Sequence, residues 1–291
     1  MERTLFIGLV THPRSRFTSA RGPGGLAARL TTSLSEHHWN ITSRIEDENR
    51  VGAPDIDLSL SSVQASVNLE FETERAWLRF QRRGHLPLLL KFSLSGRKTL
   101  RRWNYTRSAR QPTAKAMLLR LANIEEAHIA LMKQAVTSGC AWTLILEDDA
   151  QNSDVDQLAR DLARSLEEWD GGGKPSYVNM SASFPLKDLK LSQRLTKKTS
   201  WDSGSDVLSA PIPFTNTVCA MLYRHGFLEN LLSQLQSIPL EPVIPIDWKM
   251  NKAIMELYQE GKIGPGDCYS LDPAPIIQGS MHGTMPSTLD S

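Results

Sequence analysis

Three consecutive acids, Glu147-Asp148-Asp149, stand directly after the apolar run Trp142-Thr-Leu-Ile-Leu146. The run reads as a buried strand, so the acids fall at a strand's carboxyl end, where open α/β sheets place their ligands. Successive strand residues point to opposite faces, which lets Glu147 and Asp149 project together while Asp148 turns aside. Two carboxylates so placed can share one hard divalent cation, and Mn²⁺ or Mg²⁺ held this way completes its shell with water and substrate phosphate. The expected chemistry is metal-assisted handling of a diphosphate. A plainer alternative has the acids capping the helix that starts near Val155, since acids favour helix N-termini. Against it, three neighbouring carboxylates on an apolar rim repel one another and, without a cation, would cost stability.

A second set of candidates lies near the N-terminus. Thr4 to Thr11 reads as a short buried strand that opens into a loop, His12 to Gly25, carrying Arg14, Arg16, Arg21 and the turn Gly22-Pro23-Gly24-Gly25. Leu26, Leu30 and Leu34 then fall at helical spacing. Strand, basic glycine-containing loop and helix make a nucleotide-binding opening. Thr11, His12, Arg14 and Arg16 are its candidate donor contacts, beside Glu147 and Asp148. Charge is also segregated: residues 75–120 hold thirteen Lys/Arg and no acid, whereas residues 144–170 hold nine acids and two arginines. The basic segment offers further arginines to a diphosphate or an anionic acceptor. Its bland alternative is a solvated helical face pairing with the acidic half.

The elements that must position these groups follow from periodicity. A second strand is expected over Trp39 to Ile45 and a helix over Val63 to Arg83. The clearest helix runs from Pro112 to Ser138, with Leu118, Leu121, Ile124, His128, Leu131 and Ala135 near one stripe and Gly139 as its stop. After the acids come a helix over Val155 to Trp169 and a strand near Ser176 to Met180. Phe184 to Pro213 is polar and aperiodic and reads as a mobile loop over a site. Thr217 to Tyr223 is a strand and Gly226 to Leu235 a helix. A short extended segment then ends in Asp247, ahead of a helix over Trp248 to Gln259. Alternating strands and helices predict one α/β domain over residues 1–291, with a mostly parallel central sheet and helices on both faces. Residues 1–122 form its nucleotide-binding half and residues 123–291 its metal and acceptor half.

The string Asn123-Ile-Glu-Glu-Ala-His128, its helix, and Trp142-Thr-Leu-Ile-Leu-Glu-Asp-Asp-Ala150 resemble the core of the lipopolysaccharide-type glycosyltransferases grouped as family 25, within the GT-A superfold. Thr217 to Leu228 and Pro245-Ile-Asp247 are similar to that family's later strand, helix and Asp-containing turn. The resemblance spans about Asn123 to Leu257; the first hundred residues do not share it. It implies a GT-A-like fold and transfer of a sugar from a UDP- or GDP-sugar to a hydroxyl of a glycan, lipid-linked or small-molecule acceptor; inversion follows where Asp247 is the base, and retention stays open otherwise. By the same resemblance Asp149 contacts the metal, Glu147 reaches the ribose or a metal-bound water, and His282 completes the metal shell. Asp247 is then the base on the acceptor side. Its plain alternative is an N-cap for the helix that follows.

Other classes fit less well. A P-loop ATPase needs GxxxxGK[ST], and Ser95-Gly-Arg-Lys-Thr99 lacks the first glycine and the Gly-Lys pair. A haloacid-type phosphatase wants a nucleophilic Asp where Leu146 or Glu147 stands. A non-enzymatic RNA- or anionic-lipid-binding protein using the basic segment is the competing reading, but a net charge of +1 gives no general attraction to nucleic acid, and none is expected as partner. Three widely spaced cysteines without a CxxC pair suggest reduced thiols, and the six-residue apolar run at Leu5 to Val10 is too short for a signal or a membrane span. A cytoplasmic location is expected.

Overall fold

The computed structural model describes residues 3–11, 20, 22–47, 56–57, 59–81, 112–171, 175–183, 185–189, 191, 193–240 and 242–280. In chain order they form β1 (Thr4–Thr11), α1 (Leu26–Glu36), β2 (Asn40–Asp47), α2 (Leu60–Gln81), α3 (Pro112–Ser138), β3 (Trp142–Glu147), β4 (Ala150–Gln151) and α4 (Val155–Gly171). Next come β5 (Tyr177–Asn179), β6 (Ser181–Ala182), a 3-10 turn (Leu186–Leu189), β7 (Thr196–Ser200), β8 (Asp206–Ala210) and β9 (Ala220–Arg224). The chain continues with α5 (His225–Ser237), α6 (Ile246–Gln259), β10 (Cys268–Asp272) and β11 (Ile276–Gln278).

Eight strands make one sheet in the order β2-β1-β3-β9-β5-β10-β8-β7, and β4-β11-β6 make a small second sheet. β1 lies between β2 and β3, parallel to both. The expected halves therefore share one sheet. The expectation of a mostly parallel sheet is corrected: β9 is antiparallel to both β3 and β5, β8 is antiparallel to β10 and β7, and β5 with β10 is the other parallel pair of the large sheet. The misreading has a physical cause. β9 is buried on both faces, and Ala220-Met-Leu-Tyr is as continuously apolar as a parallel strand would be, so its composition carries no direction.

The strands sort their side chains by a period of two. Phe6, Val10, Ile145, Tyr177 and Met221 pack against α3, α5 and α6 through Leu131, Leu228 and Ile254. Leu5, Ile7, Leu9, Leu144, Leu146 and Leu222 pack on the other face against α1 and α4, through Leu30, Leu34, Leu158 and Leu162. Each face removes several large apolar side chains from water, at about 1.5–3 kcal/mol apiece. This two-sided burial holds the ends of β1 and β3 in fixed register.

The segment 184–213, expected as a mobile loop, instead carries the 3-10 turn and the β7–β8 hairpin, which joins the sheet edge through β10. Gly204 supplies the positive φ of its turn, and Asp161 on α4 accepts the N–H groups of Asp202 and Ser203. Mostly exposed Thr196-Lys-Lys-Thr-Ser has no apolar alternation, so the strand leaves no period in the sequence.

Among the described residues, no helix is long and apolar enough to cross a membrane.

Candidate functional site

The end of β3 delivers the three acids to different places. Glu147, level with Val10 of β1, donates its backbone N–H to the Cys219 carbonyl at 2.8 Å, which fixes the strand end against the approach to β9. Its side chain, 18% exposed, faces α3, where fully buried His128 meets Oε1 at 3.3 Å. Asp148 turns the other way and accepts a hydrogen bond from Thr11 Oγ1 at 3.3 Å. Asp149 is buried and tied to the C-terminal segment. Its backbone carbonyl accepts the Gly279 N–H at 2.9 Å, and its Oδ2 accepts the Ser280 hydroxyl and, at 3.4 Å, the Ser280 N–H.

Glu147, Asp149 and Cys219 each offer one ligand atom, all within 4.8 Å of one another. Cys219 is fully buried and donates its S–H to Asp149 Oδ1 at 3.6 Å. Burial pushes this thiol well up, and Asp149 and Glu147 push it further. Glu147 is held well above the usual carboxylate range, first by burial, then by the charges of Asp149, Asp148 and Asp247; Arg120 on α3 acts in the opposite sense. Burial also raises Asp247, which occupies the first turn of α6 and accepts the Trp248 N–H at 3.0 Å. Four carboxylates thus share one electrostatic environment. The donor set of two carboxylates and a thiol fits a divalent cation, which would relieve that mutual repulsion.

Two capping alternatives are corrected. The helix after the acids is capped by Asp154, whose Oδ1 accepts the Gln157 N–H at 3.0 Å, so the acidic triplet is not needed there. Asp247 is not an N-cap either: α6 begins at Ile246 with Pro245 before it, and no side chain caps that end.

On the other side of Asp148 lies a cleft of about 530 Å³, lined among others by Gly24, Gly25, Arg29, Asn152 and Pro275. Gly25 is the residue just before α1, and a Cβ there would run into the Ala20 backbone carbonyl, so only glycine fits this close approach. Of the expected site residues, the structure brings Glu147 and Asp149 together and pairs Asp148 with Thr11, with Asp247 acting on Glu147. His12, Arg14, Arg16 and His282 lie outside the described residues, as do residues 82–111 of the basic segment.

Two groups escaped the reading of the motif. Cys219 gave no signal, because a cysteine in an apolar strand usually packs as a small hydrophobe. Glu125 on α3 forms a fully buried ion pair with Lys249 on α6, Nζ to Oε1 2.6 Å, and Lys249 also donates to the carbonyls of Pro239 at 3.1 Å and Leu240 at 3.4 Å. The pair joins the helix carrying His128 to the helix carrying Asp247.

His128 makes the site acid-sensitive. Burial lowers its imidazole to about 4 from an ordinary 6.5. The stability this represents is complete above the unfolded value and is lost as pH falls from about 6.5 through 4, because the unfolded chain gains a proton that the folded imidazole refuses. The full effect is about 3 kcal/mol. Glu125, raised to about 7 mainly by burial, works oppositely between 4.5 and 7, so the comparison must be with a variant. Urea denaturation of His128→Gln should show a shallower acid decline than wild type below pH 6; superimposable declines would mean that His128 is not held neutral.

Comparison with known protein families and with curated proteins finds no match to this chain.

Proposed function

We propose that the protein is a metal-dependent glycosyltransferase of GT-A type, moving a sugar from a nucleotide-diphosphate donor to an acceptor hydroxyl. The observation that carries this reading is the convergence of the ligand atoms of Glu147, Asp149 and Cys219 within 4.8 Å, beside the Asp148-lined cleft and within electrostatic reach of Asp247. The resemblance around residues 123–257 supports it as well.

On this reading Glu147 and Asp149 would hold Mn²⁺ or Mg²⁺, which would supply positive charge against that developing on a departing diphosphate. Thr11 orients Asp148 at the mouth of the cleft, which receives the nucleoside. Asp247, raised by burial, is suited to accept the proton of the attacking hydroxyl. No covalent intermediate is required, and the outcome is inversion. His128 keeps Glu147 in one orientation through its hydrogen bond to Oε1. The three cysteines are free and buried, which suits the cytoplasmic location included in this proposal.

The test is calorimetric titration of UDP, GDP and UDP-sugars with Mn²⁺ or with EDTA, repeated on Asp149→Ala. Binding of one nucleotide that needs the metal and disappears in the variant is expected. Absence of nucleotide binding under every condition overturns the reading and directs attention to RNA and anionic lipids.

A further inference from the structure

We infer that Cys219 is itself a metal ligand, making the site a mixed carboxylate–thiolate centre that takes Zn²⁺ or Co²⁺ more tightly than Mg²⁺. The inference rests on the metal-dependent reading above and adds to it a residue that no DXD-type motif contains. Cys219 comes from the approach to β9, a different part of the chain from the acids, and the Glu147 N–H to Cys219 carbonyl bond holds the two segments in register.

Three features aim the thiol at an ion. Sγ lies 3.6 Å from Asp149 Oδ1, whereas Asp149 Oδ2 is already occupied by Ser280. Two ligands of one tetrahedral ion, sulfur at about 2.3 Å and oxygen at about 2.1 Å, stand about 3.6 Å apart. Thus Oδ1 and Sγ can bind the same cation without moving relative to one another.

The second feature is His128. It is fully buried and, among the described residues, its Nδ1 has no partner and its hydrogen bond, through Nε2, goes to Glu147 Oε1. A buried imidazole committed to orienting one carboxylate is what surrounds a metal ligand in a second layer.

The third is the environment of the sulfur. Cys219 belongs to the apolar core on the face of α1 and α4, yet its sulfur is within 4.8 Å of two carboxylate oxygens, which pure core filling does not call for. Thiolate sulfur favours borderline and soft ions, while Mg²⁺ strongly prefers oxygen. On binding, the S–H bond breaks, its proton passes to solvent, and the sulfur electron pair forms the bond to the metal. Nothing is oxidised or reduced.

The experiment is a titration of Co²⁺ into the full-length protein, followed by absorption. A thiolate-to-cobalt charge-transfer band in the near ultraviolet is expected, saturating with one equivalent and displaced by Zn²⁺ but not by equimolar Mg²⁺. Cys219→Ser, a near-isosteric change, should abolish the band and weaken Zn²⁺ binding about tenfold or more. Cys140→Ser and Cys268→Ser should keep both. Co²⁺ binding in wild type without the band, or unchanged Zn²⁺ affinity in Cys219→Ser, overturns the inference and leaves the carboxylate metal site standing. Failure of wild type to bind any divalent cation overturns both.

Discussion

Replacing Lys249 by methionine is expected to remove about 3–5 kcal/mol of folding stability at pH 8, because the buried Glu125 carboxylate is then left without its counter-ion. Neither partner reaches water: Lys249 is 0% and Glu125 2% exposed. Glu125 is already raised to about 7 by burial while Lys249 is present, and without the lysine it takes up a proton more readily still. The loss should therefore shrink as pH falls, since a neutral Glu125 carries no charge to strand. Removing both charges together, Glu125→Leu with Lys249→Met, should recover most of the stability, since apolar replacements of buried ion pairs are often neutral or stabilising. Urea denaturation at pH 8 and pH 6 measures all three proteins. A single variant as stable as wild type at pH 8 would mean that the pair is not ionised. Recovery of stability without recovery of nucleotide binding would show that the pair places the helices carrying His128 and Asp247.

On the glycosyltransferase reading proposed above, Asp247→Asn is expected to lower sugar transfer by about 10²–10⁴-fold, the range associated with loss of a general base. Metal-dependent donor binding should remain within a few-fold of wild type. The separation follows from geometry. The ligand atoms of Glu147, Asp149 and Cys219 stand together without Asp247, whose influence on them is electrostatic. Asparagine also removes one of the charges that hold Glu147 up, so cation binding has no reason to weaken. Calorimetry with the nucleotide found to bind, alongside turnover of the matching donor, separates the two effects. Loss of nucleotide binding with Asp247→Asn would place this residue in the donor site. Unchanged turnover would remove it from the reaction.

Much of the site's framework was legible in the chain. The apolar run into Glu147-Asp148-Asp149 reads directly as a buried strand ending in acids, and it is β3. The expected helix from Pro112 to Ser138 is α3, because its apolar stripe, its proline start and Gly139 at positive φ are all local signals. Strand alternation does not account for where the three acids fall: β3 ends at Glu147, and Asp148 and Asp149 lie in the turn before β4, where Asp148 meets Thr11 and Asp149 joins the ligand-atom cluster. Less legible were β7, which is polar on both sides, and β10 and β11, short strands that follow the last expected helix. Their pairing is long-range: β11 joins β4 and β6 and so returns Gly279 and Ser280 to Asp149.

The amino-acid sequence by itself determined which residues are strand or helix formers, where the acids fall relative to a strand end, and that helices must cover the apolar strands. These are properties of neighbours in the chain, written in periods of two and 3.6. Only the tertiary structure decided that β9 runs antiparallel beside β3, and with it that Cys219 meets Glu147 and Asp149. It alone decided that Lys249 reaches Glu125 across 124 residues, and that Ser280 takes one oxygen of Asp149 and leaves the other to face a thiol. Strand direction and such distant contacts are set by the packing of whole faces against one another, and no local pattern encodes them.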